Sequence, residues 1–309
     1  MAKKRKKNNL KNIILLILFI ISFIYTLTTT EFEAKEAVLL SDDLTFEEKD
    51  IIDEFLKIYF FDVGQADCTL IINNHKTMLI DAGNNEDGKL LANYIKDLGI
   101  DTIDYLVGTH AHEDHIGGLD NIIDSFNIGT IYMPYTTEKT TTTKTFEDVL
   151  DSIIEKDLSI TSVETGDKFT VGSANCEIMH VNNSEPTDAN EQSICIRMEF
   201  GEESYLFMGD ATENNEKTRT WPKTTVLKVG HHGSSTSTSK KFLEQVSPGI
   251  SIISVGEDNS YNHPNKALLT RLENINTNIY RTDELGTILL ISDGKSNMIK
   301  SIETNVNGN

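Results

Sequence analysis

Thr109-His110-Ala111-His112-Glu113-Asp114-His115-Ile116-Gly117-Gly118 is the stretch that decides how the rest of the chain reads. His110, His112, Asp114 and His115 place four potential metal ligands within six residues. The apolar run Tyr105-Leu106-Val107 before them reads as a buried strand, and Leu119 to Phe126 after them as a helix. Ligands on a strand-to-helix turn are held by rigid elements while their side chains project from the end of a sheet. Borderline cations such as zinc or manganese favour imidazole together with carboxylate, and this stretch supplies both. A polar loop merely rich in histidine would not need this spacing.

Working outward, other ligand types also close predicted strands. Asp81 ends Thr77-Met78-Leu79-Ile80, and Asp210 ends Tyr205-Leu206-Phe207-Met208-Gly209. His231 and His232 end Val226 to Gly230. Any one aspartate after an apolar strand could be a cap or turn residue. Repetition at four strand ends argues for a shared site instead.

The chain first shows paired strands, Leu56–Phe61, Cys68–Ile72 and Thr77–Ile80, then a helix from Lys89 to Leu98 stopped by Gly99. Strand-helix alternation follows through Ile128–Met133. Thr136 to Thr145 reads as an exposed threonine-rich loop near the site, and Phe146 to Lys156 as a helix. The second half repeats the order, with strands at Lys168–Val171, Cys176–His180, Ile194–Phe200 and Tyr205–Met208 before Leu227–Val229, a helix at Lys240–Val246 and a strand at Ile250–Val255. A helix over Pro264–Glu273, with proline in its first turn, and strands Ile279–Arg281 and Thr287–Ile291 close the sheet. This order predicts an α/β protein, two strand-rich halves layered with outer helices.

The motifs together resemble the metallo-β-lactamase superfamily, and within it the soluble hydrolase domain of the ComEC/Rec2 competence proteins that act in DNA uptake. The residues that carry the resemblance are Phe61-Asp62-Val63-Gly64-Gln65-Ala66-Asp67, Ile80-Asp81-Ala82-Gly83, the His110 stretch, Phe207-Met208-Gly209-Asp210-Ala211, Leu227 to Ser234, Asn262-His263-Pro264, and Tyr280-Arg281-Thr282-Asp283 with Gly286-Thr287-Ile288. It covers about residues 56 to 300. It implies a four-layer αββα sandwich with two divalent metal ions, zinc or manganese, at one edge. His110 and His112 would bind the first metal, Asp114 and His115 the second; Asp210 would bridge them and His231 would complete the second site. Asp81 would orient a ligand from behind. The superfamily's further histidine on the first site has no obvious counterpart here. Asn190, in Asp188-Ala189-Asn190-Glu191-Gln192-Ser193, stands in its place, with His180 as a fallback. Two such ions about 4 Å apart lower the pKa of a water between them and stabilise charge on an attacked phosphoryl group. Asp114 would hold the nucleophile, and His232 and His263 would donate to phosphate or leaving group. Ser234 offers an anion a hydroxyl. Lys228, with Lys223, Arg219, Lys139 and Lys144, offers basic contacts for a polyanion.

Charge and the N-terminus set the remaining bounds. Six of the 28 cations lie in the first 12 residues, leaving 22 against 48 acids, a formal −26 for the rest. So acidic a body is no general nucleic-acid binder through bulk electrostatics. Cys68, Cys176 and Cys195 each sit in apolar surroundings and are expected to be free, buried thiols. After the basic dodecamer, Ile13 to Leu27 is an apolar run interrupted only by Ser22, Tyr25 and Thr26 and free of charge. No small-residue cleavage pattern follows, so residues 1–30 read as an uncleaved membrane anchor in preference to a cleaved secretion signal. Residues 31–54 read as an acidic linker and 55–309 as the hydrolase domain. The resulting expectation is an exported, membrane-anchored, metal-dependent phosphodiesterase or nuclease with a phosphodiester substrate such as DNA and no obligate protein partner. A phosphodiester or phosphocholine esterase acting on cell-wall polymers and a non-catalytic binding module are the alternatives. Lysines ahead of an apolar span stay cytoplasmic, so protease added to intact cells should digest the body of the protein. Protection that ends only on lysis would reverse the topology.

Overall fold

A computed structural model of the chain describes residues 54–135, 143–184 and 188–302. The expected anchor, all but the last residue of the acidic linker, and Lys139 lie outside those residues. Among the described residues, no helix is long and apolar enough to cross a membrane.

The first half runs β1 (Leu56–Phe60), β2 (Thr69–Asn73), β3 (Lys76–Ile80), α1 (Gly88–Asp97), β4 (Thr102–Val107), α2 (Glu113–Ile116), α3 (Leu119–Ser125), β5 (Asn127–Met133), α4 (Lys144–Glu155) and β6 (Ile160–Ser162). The second runs β7 (Lys168–Val171), β8 (Ala174–His180), β9 (Cys195–Phe200), β10 (Glu203–Phe207), α5 (Glu213–Glu216), β11 (Val226–Lys228), α6 (Lys240–Val246), β12 (Ile250–Ile253), α7 (Lys266–Asn274), β13 (Asn278–Arg281), α8 (Thr282–Leu285), β14 (Thr287–Ser292) and β15 (Asn297–Ile302). One sheet has the order β15-β14-β1-β2-β3-β4-β5-β6, the other β13-β12-β11-β10-β9-β8-β7. In each, antiparallel strands give way to parallel ones: β3 to β6 in the first, β10 to β13 in the second.

Side-chain alternation along the strands builds the layers. Ile58 and Phe60 of β1 meet Tyr205 and Phe207 of β10 in the core between the sheets. Tyr59 and Phe61 face the other way, onto a core with Leu91, Ile95, Ile122, Phe146 and Val149 from the helices. Leu206 and Leu227 pack outward against Phe242, Leu243, Leu268 and Leu272. The molecule is therefore the expected αββα sandwich. All three cysteines are free and buried.

Three expectations change. β14 does not close the second sheet; it crosses back and pairs antiparallel with β1. The edge strands β6 and β15 were not legible, because they are only partly buried and lack a clear apolar alternation. Pro264 is not in the first turn of α7: Asn265 caps that helix, its side chain accepting from the Ala267 N–H at 2.9 Å.

The turn after β4 is seated by glycine. A Cβ on Gly117 would stand 2.3 Å from the Asn85 nitrogen, and one on Gly118 2.3 Å from the Ala82 carbonyl oxygen. Both obstacles are backbone and cannot rotate away. Gly117→Ala should therefore separate the α2 turn from the loop at 82–85 and cost on the order of 1–3 kcal/mol, read as a lowered thermal midpoint. An unchanged midpoint would mean the two loops are not in contact.

Candidate metal centre

The site lies where the parallel strands end. β3 runs into Asp81, whose N–H donates to the Val107 carbonyl at 2.8 Å while the residue takes φ 59°. That turn aims the carboxylate sideways at the neighbouring strand's exit. Asp81 accepts from the Thr109 N–H and hydroxyl and from His115 Nδ1, each at 2.8 Å. With Nδ1 so bonded, His115 presents Nε2 to the site. The Ala82 N–H donates to the His115 carbonyl at 2.7 Å, which stitches the two turns together.

From the second sheet, β10 delivers Asp210, whose N–H donates to Ser193 Oγ at 3.1 Å. β11 delivers His231 and His232, both with positive φ, 54° and 48°. Strained backbone of this kind persists where surrounding structure over-determines it. The two rings approach the Asp210 carboxylate from opposite oxygens: His231 Nε2 lies 3.6 Å from Oδ2 and His232 Nε2 3.6 Å from Oδ1. His115 Nε2 is 3.2 Å from Oδ1, and Asp114 Oδ2 is 3.2 Å from His232 Nε2. Asp114, His115, Asp210 and His232 form a set whose ligand atoms all lie within 4.8 Å of one another. Beside it, His110 Nε2 stands 3.0 Å from His112 Nδ1, and the His110 and His115 rings are 4.2 Å apart.

These groups fit divalent cations, on two grounds. His115 Nε2, His232 Nε2, Asp210 Oδ1 and Asn190 Oδ1 are all buried and none is aligned with a hydrogen-bond partner. Imidazole nitrogens and carboxylate oxygens crowded together without aligned hydrogen bonds are what a cation satisfies. The electrostatics agree. Burial opposes charge here, yet His115 and His232 hold Asp210 well below the usual carboxylate range and bring Asp114 down to about 2. In turn, Asp210 first among the carboxylates raises His115 well above its usual value and His232 to about 10, again against burial. Those protons sit on the lone pairs a metal would take. His110 differs: burial and the neighbouring His115 push it well below its usual value, which leaves a neutral ring.

The cleft above these atoms measures about 710 Å³ and is lined by Gln65, Asn84, Asn85, Glu86, His112, Glu113, Asp114, Asn190, Asp210, His231, His232, Tyr261 and His263. No lysine or arginine is among them.

Residues 61–257 match the metallo-beta-lactamase superfamily. The chain belongs to that superfamily. Among curated relatives it is 29% identical over 256 residues to ComE operon protein 3 of Bacillus subtilis, which covers 75% of this chain and 32% of that protein. It is 30% identical over 234 residues to Recombination protein 2 of Haemophilus influenzae, covering 74% of this chain and 28% of that one. Competence protein ComA of Neisseria gonorrhoeae is 24% identical, covering 81% and 34%. The chain thus spans about a third of these relatives' length. Among solved structures, the metallo-beta-lactamase fold protein YhfI from Bacillus subtilis superposes with a TM-score of 0.52 at 10% identity, over 77% of this chain and all of that one. CmlA, a diiron beta-hydroxylase from Streptomyces venezuelae, gives 0.50 at 16% identity, over 73% of this chain and 52% of that one. At such identities the likeness concerns the fold.

Within this metallo-β-lactamase fold, His110, His112, Asp114, His115, Asp210, His231 and Asn190 do come together at one edge, and Asp81 lies behind His115. Four expectations need correction. His180 lines a different cleft and bonds Asn215 at 2.8 Å and Thr218 at 3.3 Å, so it is no fallback ligand. Ser234 is buried, and its hydroxyl is spent on Thr236, at 3.0 Å to Oγ1 and 3.3 Å from the N–H. Arg219 lines a separate cleft and lies over the Trp221 ring, and Lys144, paired with Asp148 on the surface, is not among the residues lining the metal cleft. Lys228 is no surface cation either. It is 3% exposed, and its Nζ donates to both oxygens of Asp67 at 2.9 Å.

Asp67 is the residue that sequence reasoning left without a role. Its carboxylate also lies 3.4 Å from His232 Nδ1, which is 3.2 Å from the Ser254 carbonyl oxygen. Its N–H donates to the Asp114 carbonyl oxygen at 3.0 Å, so it links both sheets to the site. Burial would raise it, but Lys228 and His232 hold Asp67 far below the usual carboxylate range. Only its place in the Phe61–Asp67 motif hinted at this. His263, half-buried, is pushed down to about 4 by burial and by the His232 and His231 rings, so it faces the cleft as a neutral ring.

Lys228→Met would leave Asp67 charged in the interior with only His232 Nδ1 beside its carboxylate. Urea denaturation should show a loss of about 3–5 kcal/mol. Adding Asp67→Asn should return most of it. Equal stability of wild type and Lys228→Met would contradict a buried pair.

Proposed function

We propose that this chain is an exported, membrane-anchored, metal-dependent phosphodiesterase that cleaves DNA. The observation that carries the reading is the cleft floor: buried imidazole nitrogens and carboxylate oxygens from both sheets converge without aligned hydrogen bonds, under an opening with no basic side chain among its described lining residues. Such a site repels a phosphodiester until cations are bound, and then attracts it only there. His110, His112 and Asn190 would hold one ion, Asp114, His115 and His231 or His232 the other, and Asp210 both. The ions would supply charge stabilisation on the phosphoryl oxygens and a more acidic water.

The chain's own residues do the rest. Asp81 fixes the His115 ring through Nδ1, and Asp67 and the Ser254 carbonyl fix His232 the same way. Asp114, the least buried carboxylate of the set, faces the cleft and can accept the proton of an attacking water. His263, neutral and held by Gln65 Nε2 at 3.4 Å from its Nδ1, lines the cleft where its other ring nitrogen can donate a hydrogen bond to a substrate oxygen. The relatives' names, in competence and recombination, support DNA as the polymer.

The test uses the purified full chain loaded with manganese or zinc. It should cleave both single-stranded DNA and a small nitrophenyl phosphodiester. Asp210→Ala should lose metal and all turnover of both while keeping the wild-type circular dichroism. Because no basic side chain is among the described residues lining the cleft, DNA cleavage should fall only shallowly with salt, with a slope of about −0.7 on a log–log plot, one phosphate's worth. Turnover of a phosphocholine ester with no DNA cleavage would favour the cell-wall esterase. A metallated protein that turns over nothing would be a binding module.

A further inference from the structure

Tyr261 stands at the edge of the metal cleft with its side chain 68% exposed. A solitary exposed aromatic is ordinary on a protein surface. Three features set this one apart. First, it lines the same cleft as Asp114, Asp210 and His263. Second, its ring is stacked on His263, with centroids 5.7 Å apart and planes 25° from parallel. His263 in turn meets the His231 ring edge-on at 5.9 Å, so two ring-to-ring steps connect Tyr261 to a ring beside Asp210. One face of the tyrosine is thus backed and the other is open.

Third, the loop that carries it is pinned. The Asn259 side chain accepts from the N–H groups of Tyr261 and His263 at 3.1 and 3.0 Å. It donates to the carbonyls of Gly256 and His263 at 2.9 and 2.6 Å. The Gly256 N–H donates to Gln65 Oε1 at 3.2 Å, tying the loop to the motif that carries Asp67. A ring held at a set angle by its backbone pays little entropy on binding. Exposing it serves no packing purpose.

We infer that Tyr261 is a stacking platform for a nucleobase next to the cleaved phosphodiester, which makes the substrate single-stranded or frayed nucleic acid. The inference rests on the phosphodiesterase reading for its phosphate, and adds the base. Aromatic side chains bind single strands this way because every base has a π-face, without sequence preference. A base inside a duplex cannot reach the ring. A quaternary ammonium is the other ligand an aromatic ring takes, but it calls for a cage of several rings. Histidines apart, Tyr261 is the only aromatic among the described residues lining the cleft. One flat open face suits one flat base.

The test is a binding measurement, separate from turnover. A short single-stranded oligonucleotide carrying 2-aminopurine is titrated with the metal-loaded full chain, and the quenching that stacking causes is followed. Wild type should quench and should bind the base-bearing oligonucleotide roughly 5- to 150-fold more tightly than one with abasic positions. Tyr261→Ala should lose both the quenching and the preference while retaining its affinity for the abasic strand. Tyr261→Trp should keep both. Wild type that fails to quench, or a Tyr261→Ala protein that still prefers bases, overturns the platform. So does weakening of base-bearing and abasic strands alike, or a Tyr261→Ala defect confined to a phosphocholine ester. Cleavage is scored separately: quenching without hydrolysis upholds the platform and defeats the phosphodiesterase reading. Hydrolysis that ignores the base does the reverse.

Discussion

Four carboxylates where the strands of both sheets end, three of them buried, are the electrostatic problem around which this protein is arranged. Asp67, Asp81 and Asp210 are each less than 5% exposed, and Asp114 lies beside them. Like charges at this separation cannot share a dry interior unless each is answered by a cation or a donor. Lys228 answers Asp67, and Thr109 with His115 answers Asp81. Asp210 and Asp114 are left facing imidazoles whose lone pairs point into the same space. A divalent cation resolves what the protein groups leave unbalanced, and the rest of the architecture holds the imbalance in place.

That architecture is built from both sheets. Asp81 and the His110 turn come from the first, Asp210, His231 and His232 from the second, and the core between the sheets fixes their separation. Asp67 spans the seam, bonded to Asp114 through its backbone and to Lys228 and His232 through its carboxylate. A buried pair of this kind adds little net stability over apolar residues, but losing either partner is costly. Its use here is geometric, since it sets the angle of His232 against the Asp210 carboxylate.

The acidity of the whole chain has a consequence at the cleft. With a formal charge of −20 and no lysine or arginine among the described residues lining the cleft, bound cations are what would draw a phosphate in there. Affinity for a polymer then has to come from contacts indifferent to charge. The pinned loop from Gly256 to His263 is where such contacts are available.

How much of this was legible beforehand follows from the range of each interaction. The His110–His115 ligands and the strand-end aspartates are local in sequence. Alternation along the strands and ligand spacing on one turn made the ligand types and the strand-helix order readable from the chain, while the αββα layering was implied by the resemblance its motifs carry. The fate of Lys228 was not local. It sits on a three-residue strand like any solvent-facing lysine, and only the approach of Asp67, 161 positions away, makes it an interior ion pair and not a phosphate contact. His180 and Ser234 went the same way, each claimed by partners that folding brought near. The placement of His231 and His232 likewise waited on two left-handed residues that turn one ring to each oxygen of Asp210. Residue types and their spacing settle which chemistry a chain can perform. Burial and partners across the sheets decide which of those residues remain free to perform it, because a buried polar group is committed to whatever satisfies it.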